Sequence, residues 1–103
     1  MAHDNIASLL DELGVGIDEI AGNCGVDQTW IVEHVQAGVL LGGQGGDPAG
    51  WVFASRDVVR ARRLRDVERH FDANPDLAGL FVDLQEELER LRTRLRRAGL
   101  SLD

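Results

Sequence analysis

The sequence predicts a mainly α-helical fold: an acidic helix-turn-helix, a short β-hairpin wing, a third helix and a long coiled-coil-like C-terminal helix. Three observations carry this expectation. Residues 17–37 hold two short apolar-periodic segments joined by "NCGVD", a glycine turn flanked by helix stop and start signals. Residues 39–53 hold two β-prone runs around a loop of five glycines and one proline. From Leu77 to Ala98 apolar residues step by 4, 3, 4, 3, 4, 3, a heptad seam.

Taken in order, Ile6, Leu9, Leu10 and Leu13 give a first apolar stripe at helical spacing, punctuated by Gly14 and Gly16. "IDEIAGN" then turns Ile17, Ile20 and Ala21 inward. Asp27 suits the N-cap of the next helix, which runs to about Ala37 and is closed by Gly38. Ile31 and Val35 form its buried face, and Trp30 reads equally as core or as an exposed interface anchor. Val39–Leu41 and Trp51–Phe53 are the arms of the expected hairpin. Its glycine-rich loop is not a phosphate cradle, since it has no Gly-Lys-Ser/Thr ending and no positive charge.

Ser55 caps a helix from Arg56 to about Phe71, with Val58, Ala61, Leu64, Val67 and Phe71 on one buried stripe. "DANPD" breaks it, because the residue before Pro75 is driven out of helical geometry, and Asn74 or Asp76 caps the last helix. Two units are expected: an acidic unit over 1–73 and a leucine-heptad helix over 74–103. The seam of Phe81, Leu84, Leu88, Leu91 and Leu95 either packs back on helix 56–71 or pairs with a second copy as a homodimer; the homodimer is the expected outcome. Glu87 faces Arg94 in an antiparallel pair and Arg92 in a parallel one, so these charges alone leave orientation open.

Charge is the most informative part of the composition. Residues 1–55 hold eight acids and no Lys or Arg; residues 56–103 hold ten acids and all eleven arginines, giving the net −7. With 44% hydrophobic and 28% charged residues in 103, the chain reads as one ordinary globular domain. No apolar run is long enough to span a bilayer, and the N-terminal residues lack the basic flank and apolar core of a signal peptide. A cytoplasmic protein is expected, in keeping with the single cysteine, Cys24.

Chemistry is sought and not found. His3, His34 and His70 are scattered, share no ligand spacing with Cys24, and read as surface or boundary residues. No base is placed to activate Cys24. Neighbouring acids such as Asp18–Glu19 and Glu86–Glu87 diverge around their helices. No enzymatic centre, metal or cofactor is expected.

The segments "IDEIAGNCGVDQTWIVEHVQAGVL" and "GWVFASRDVVRARRLRDV" resemble the MerR-type winged helix-turn-helix. DNA-binding members of that group read roughly Leu-Arg-Tyr-Tyr-Glu on the recognition helix and Gly-Tyr-Arg on the wing. The matching positions here are Ile31, Val32, Glu33, His34 and Val35, then Gly50, Trp51 and Val52, so both arginines are valine and a tyrosine is glutamate. This profile, with Trp51-Val52-Phe53, "VVRARRLRDVERHF" and a leucine-rich last helix, is similar to the chaperone-modulator (CbpM-type) branch over residues 15–98. "DANPDLAGLFVDL" departs from it.

The resemblance implies a non-enzymatic inhibitor that binds the J-domain of a DnaJ-like (CbpA-type) co-chaperone. J-domains present a basic helical face, and an acidic surface complements it. Expected contacts are Asp18, Glu19, Asp27 and Glu33, with Asp11, Glu12 and Trp30 beside them. Asp83 and Glu86 are a second candidate surface. The alternative is a MerR-like DNA-binding regulator, for which only Arg56, Arg60, Arg62, Arg63, Arg65 and Arg69 supply phosphate contacts beside a −8 lobe. Nucleic acid is therefore not the expected partner. An acidic dimer that restrains some other protein shares the first reading's physics and differs only in its target.

Overall fold

A computed structural model describes residues 14–43 and 45–99. Within them the chain is mainly helical: α1 (Ile17–Cys24), α2 (Gln28–Gln36), a 3-10 turn (Pro48–Gly50), α3 (Ser55–Phe71) and α4 (Pro75–Arg97). The apolar stripe of residues 6–13 lies outside the described residues.

Several helix ends fall where the sequence provides a partner for free backbone groups. Asp27 caps α2 by accepting the Trp30 N–H at 3.0 Å, and Asn74 caps α4 by accepting the Leu77 N–H at 2.9 Å. α1 ends at Gly25, whose φ of 67° lets its N–H turn back onto the last carbonyls. α3 starts one residue earlier than expected. Ala54 holds the cap position, and the buried Asp57 carboxylate accepts the Ala54 N–H at 2.9 Å. Asp76 sits in the first turn of α4 rather than at its cap, where a negative charge suits the helix dipole.

One core joins all four helices. α1 supplies Ile17, Ile20, Ala21 and Cys24; α2 supplies Ile31; α3 supplies Ala61, Leu64 and Val67; α4 supplies Ala78 and Val82. Val39, Leu40, Trp51 and Phe53 close it from the loop side. Gly79 brings α4 close to the loop: a Cβ there would stand 2.5 Å from a Val39 methyl. No helix among the described residues is long and apolar enough to cross a membrane.

The expected hairpin is corrected. Val39–Leu41 and Trp51–Phe53 form no strand ladder, and no strand occurs among the described residues. The amide groups that a ladder needs are already committed: Val39 and Leu40 both donate to the His34 carbonyl at the end of α2, at 3.1 and 3.3 Å. Gly43, Gly45 and Gly46 all take positive φ, so the loop coils back, and the Trp51 indole donates to the Gly45 carbonyl at 2.8 Å. Phe53 pairs instead with Val15, through two hydrogen bonds of 2.8 Å in a single antiparallel bridge.

Three further residues stand differently from expectation. His34, read as a surface or boundary residue, is 1% exposed and occupies the inner face of α2 beside Ile31, while Val35 is only half-buried. Phe71 is 65% exposed: the buried stripe of α3 ends at Val67, and the Phe71 ring leans on Phe81 of α4, with centroids 5.5 Å apart.

Candidate protein-interaction surfaces

The first surface is acidic and lies on α1 and α2. Asp18 and Glu19 occupy the first turn of α1, where the helix dipole favours them, and both are exposed. Gln28 of α2 donates its side-chain amide to the Asp18 carboxylate, which ties the two helix starts together. Glu33 is exposed on α2, about one and two-thirds turns on from Asp27 and so roughly a third of a turn around the axis from it. Asp27 is exposed too, but one of its oxygens is held by the cap bond. Asp11 and Glu12 lie outside the described residues. No Lys or Arg falls within residues 14–55, so no cation on the unit itself offsets these four carboxylates.

Beneath this surface sits a polar cluster that the spacing of residues did not disclose. Trp30 stacks on His34, with ring centroids 3.6 Å apart and planes 20° apart. The indole N–H donates to Glu68 of α3 at 3.3 Å, and the other oxygen of Glu68 meets Nε2 of His34. Nδ1 of His34 lies 2.7 Å from the Trp30 carbonyl. One carboxylate thus satisfies two ring nitrogens and fixes α2 on α3. Trp30 is half-buried: its polar edge is engaged, and part of its ring remains at the surface. The missed signal was a pairing across more than thirty residues, which helical periodicity does not encode.

Three of the six arginines of α3 are turned to the protein's own use. Arg60 is nearly buried, donates from Nε to the Val39 carbonyl at 2.6 Å, and pairs with Asp83 at 2.9 Å and Glu86 at 3.0 Å. Arg63 pairs with Glu89 at 2.8 Å, and Arg62 reaches the carbonyl and side-chain oxygens of Asn23. Asp83 and Glu86, expected from the sequence as a second contact surface, are therefore partners of Arg60 first.

The second surface is apolar and runs along α4. The residues of α4 turned to the core are Ala78, Gly79 and Val82, and Asp83, Glu86 and Glu89 reach back to Arg60 and Arg63 of α3. The heptad seam faces away. Phe81 is 40% exposed, Leu84 63%, Leu88 46% and Leu91 43%, with Leu77 and Leu80 exposed beside them. Leu95 is half-buried. A contiguous apolar face of this length is uncommon on a monomeric surface and marks an interaction site.

Burial pushes the Cys24 thiol above its ordinary range, and the nearby Arg62 and Arg65 charges only partly offset this. Its Sγ lies 3.9 Å from the Val58 carbonyl, a weak contact inside the core. Among the described residues no group of His, Cys, Asp and Glu is placed to hold a metal ion. No family model, no curated protein and no solved structure matches the chain.

Proposed function

We propose that this chain is a non-enzymatic chaperone modulator. It binds the J-domain of a DnaJ-like (CbpA-type) co-chaperone through its acidic α1–α2 unit and acts as a homodimer. In this reading α1 and α2 are a helix-turn-helix whose second helix contacts protein instead of a DNA groove. The observation that carries it is the acidity of the α1–α2 segment: Asp18, Glu19, Asp27 and Glu33 are all exposed and no Lys or Arg lies within residues 14–55, while Arg62 and Arg65 of α3 stand beside it at Asn23 and Gly25. A basic helical face is the natural complement, and opposite charge speeds encounter as well as favouring the pair.

The loss of arginines to internal pairs argues against DNA. Phosphate neutralisation supplies a large share of the affinity for DNA, and the charges of Arg60 and Arg63 are already paired with Asp83, Glu86 and Glu89. The exposed heptad face of α4 supports the homodimer.

The test is a chaperone ATPase assay. ATP hydrolysis by a DnaK-type chaperone, stimulated by the DnaJ-like co-chaperone, falls as this chain is added. The double variant Asp18→Lys/Glu33→Lys loses that effect while its circular dichroism stays unchanged. Stimulation that is indifferent to the wild-type chain rejects the proposal.

A further inference from the structure

A groove at the crossing of α3 and α4 holds polar groups that the proposed J-domain contact leaves unused. It encloses about 270 Å³ and is lined by Asp66, Val67, His70, Phe71, Phe81 and Gln85. Asp66 and His70 stand one turn apart on α3, and Phe81 and Gln85 one turn apart on α4, so each helix contributes one row to the groove. Phe71 is the last residue of α3, placed at the groove mouth before Asp72 takes a left-handed φ of 49° and ends the helix.

The polar groups of the groove are mainly acceptors. The side-chain oxygen of Gln85 is shielded from solvent and, among the described residues, has no hydrogen-bond partner. Acceptors left this way are uncommon in folded chains, because an unmade hydrogen bond in a shielded place is costly. The Asp66 carboxylate reaches a cation only at 3.9 Å, the guanidinium of its neighbour Arg65. Nδ1 of His70 lies 2.7 Å from the Asp66 carbonyl. A carbonyl oxygen only accepts, so Nδ1 carries the hydrogen and a neutral ring keeps its lone pair at Nε2. Neither Arg65 nor Arg69 lines the groove.

The apolar part of the wall is aromatic. Phe71 is 65% exposed and Phe81 40%, and their rings lie 5.5 Å apart at 33°. The face of an aromatic ring attracts a cation. Two such rings beside a carboxylate and an unpaired amide oxygen select a cation rich in donors. An ammonium is a compact, strongly hydrated point charge. A guanidinium is a planar fork of five donors, is weakly hydrated and stacks on aromatic rings, and it is the better match here. The net charge of −7 draws basic partners toward the chain.

We propose that this groove is a docking socket for one arginine side chain of a partner protein. The Asp66 carboxylate and the Gln85 oxygen accept from the guanidinium, and Phe71 and Phe81 pack on its plane. The terminal amide torsion of glutamine is soft, so the Gln85 oxygen turns toward the arriving N–H groups at little cost. Of the leucine seam the socket uses Phe81 alone, and it shares no residue with the acidic α1–α2 face. It stands whether or not that face binds a J-domain.

The test is an NMR titration of the chain with the peptide acetyl-Gly-Arg-Gly-amide, read at the Phe71 and Phe81 rings and at the Gln85 side-chain amide. Saturable shifts at these residues are expected. The citrulline counterpart, of the same shape without the charge, and the lysine counterpart bind about fivefold or more weakly. Asp66→Asn weakens the arginine peptide about fivefold or more. Phe71→Leu weakens it about two- to fivefold. Both positions are exposed, so the fold survives these substitutions. The control Asp18→Asn removes the same charge elsewhere and changes affinity less than about twofold. Shifts that do not saturate, or that fall outside the groove, overturn the proposal. Equal effects of Asp66→Asn and Asp18→Asn reduce the binding to attraction by net charge and overturn the socket. A lysine peptide that binds as tightly as the arginine peptide overturns the assignment to guanidinium.

Discussion

Gly79→Ala tests which face of α4 is buried, and so whether the heptad face is free. In an exposed helix interior this substitution stabilises a protein by about 1 kcal/mol, because alanine loses less backbone entropy. Here the new Cβ stands 2.5 Å from a γ-methyl of Val39 and 3.1 Å from its Cβ. Valine is stiff about its first side-chain torsion and is packed at 8% exposure, so it cannot swing away. Overpacking of this kind costs about 1–3 kcal/mol. The clash outweighs the helix gain, and the net effect is a destabilisation of about 1 kcal/mol, or roughly 5 °C in melting temperature for a domain of this size.

The double variant Val39→Ala/Gly79→Ala removes the 2.5 Å contact and leaves only the 3.1 Å one, so the two effects do not add. A double-mutant cycle by urea denaturation, at one protein concentration, shows a coupling of about 1–3 kcal/mol. If Gly79→Ala instead stabilises by about 1 kcal/mol with no coupling to Val39, α4 is not docked through this face and the exposed seam loses its basis.

Asp27→Ala costs about 1 kcal/mol of stability by removing the α2 cap, seen in thermal melts; Asp27→Asn keeps the cap, so a loss of J-domain affinity in that variant alone reads the charge. Leu64→Ala, at the fully buried centre of α3, costs about 2–5 kcal/mol in urea denaturation, while Leu84→Ala leaves the isolated monomer unchanged within about 0.5 kcal/mol. The Cys24 thiol is held above its ordinary pKa in the folded chain, so the unfolded chain loses that proton first. Its contribution to stability is complete below about pH 9 and declines as the pH rises beyond that, and a thiol reagent near neutrality modifies it only as fast as the chain opens.

Much of the fold was legible because it rests on local chemistry. Asp27 and Asn74 announce their caps, Gly25 its left-handed turn, and the spacing of Ala61, Leu64 and Val67 its buried stripe. The hairpin misled because β-propensity in Val39–Leu41 says nothing about where its amides go, and the end of α2 claimed them first. The role of His34 was hidden for a related reason. A lone histidine looks like a surface residue until Glu68, far along the chain, provides its partner. On α4 the heptad was plain in the sequence, but only the packing of Gly79 and Val82 against the core shows that the seam faces outward. The acidic face was readable from composition alone, whereas the internal use of Arg60 and Arg63 was not.

The central claim is that an acidic α1–α2 face binds a basic J-domain, and calorimetric titration with the isolated J-domain tests it most directly. The screening length is about 30 Å at 0.01 M salt and about 8 Å at 0.15 M, so an electrostatic interface weakens between them. The account predicts saturable binding at the lower salt, with a dissociation constant that rises about tenfold or more at the higher. No heat and no saturation at the lower salt, where attraction between the two surfaces is strongest, contradicts it.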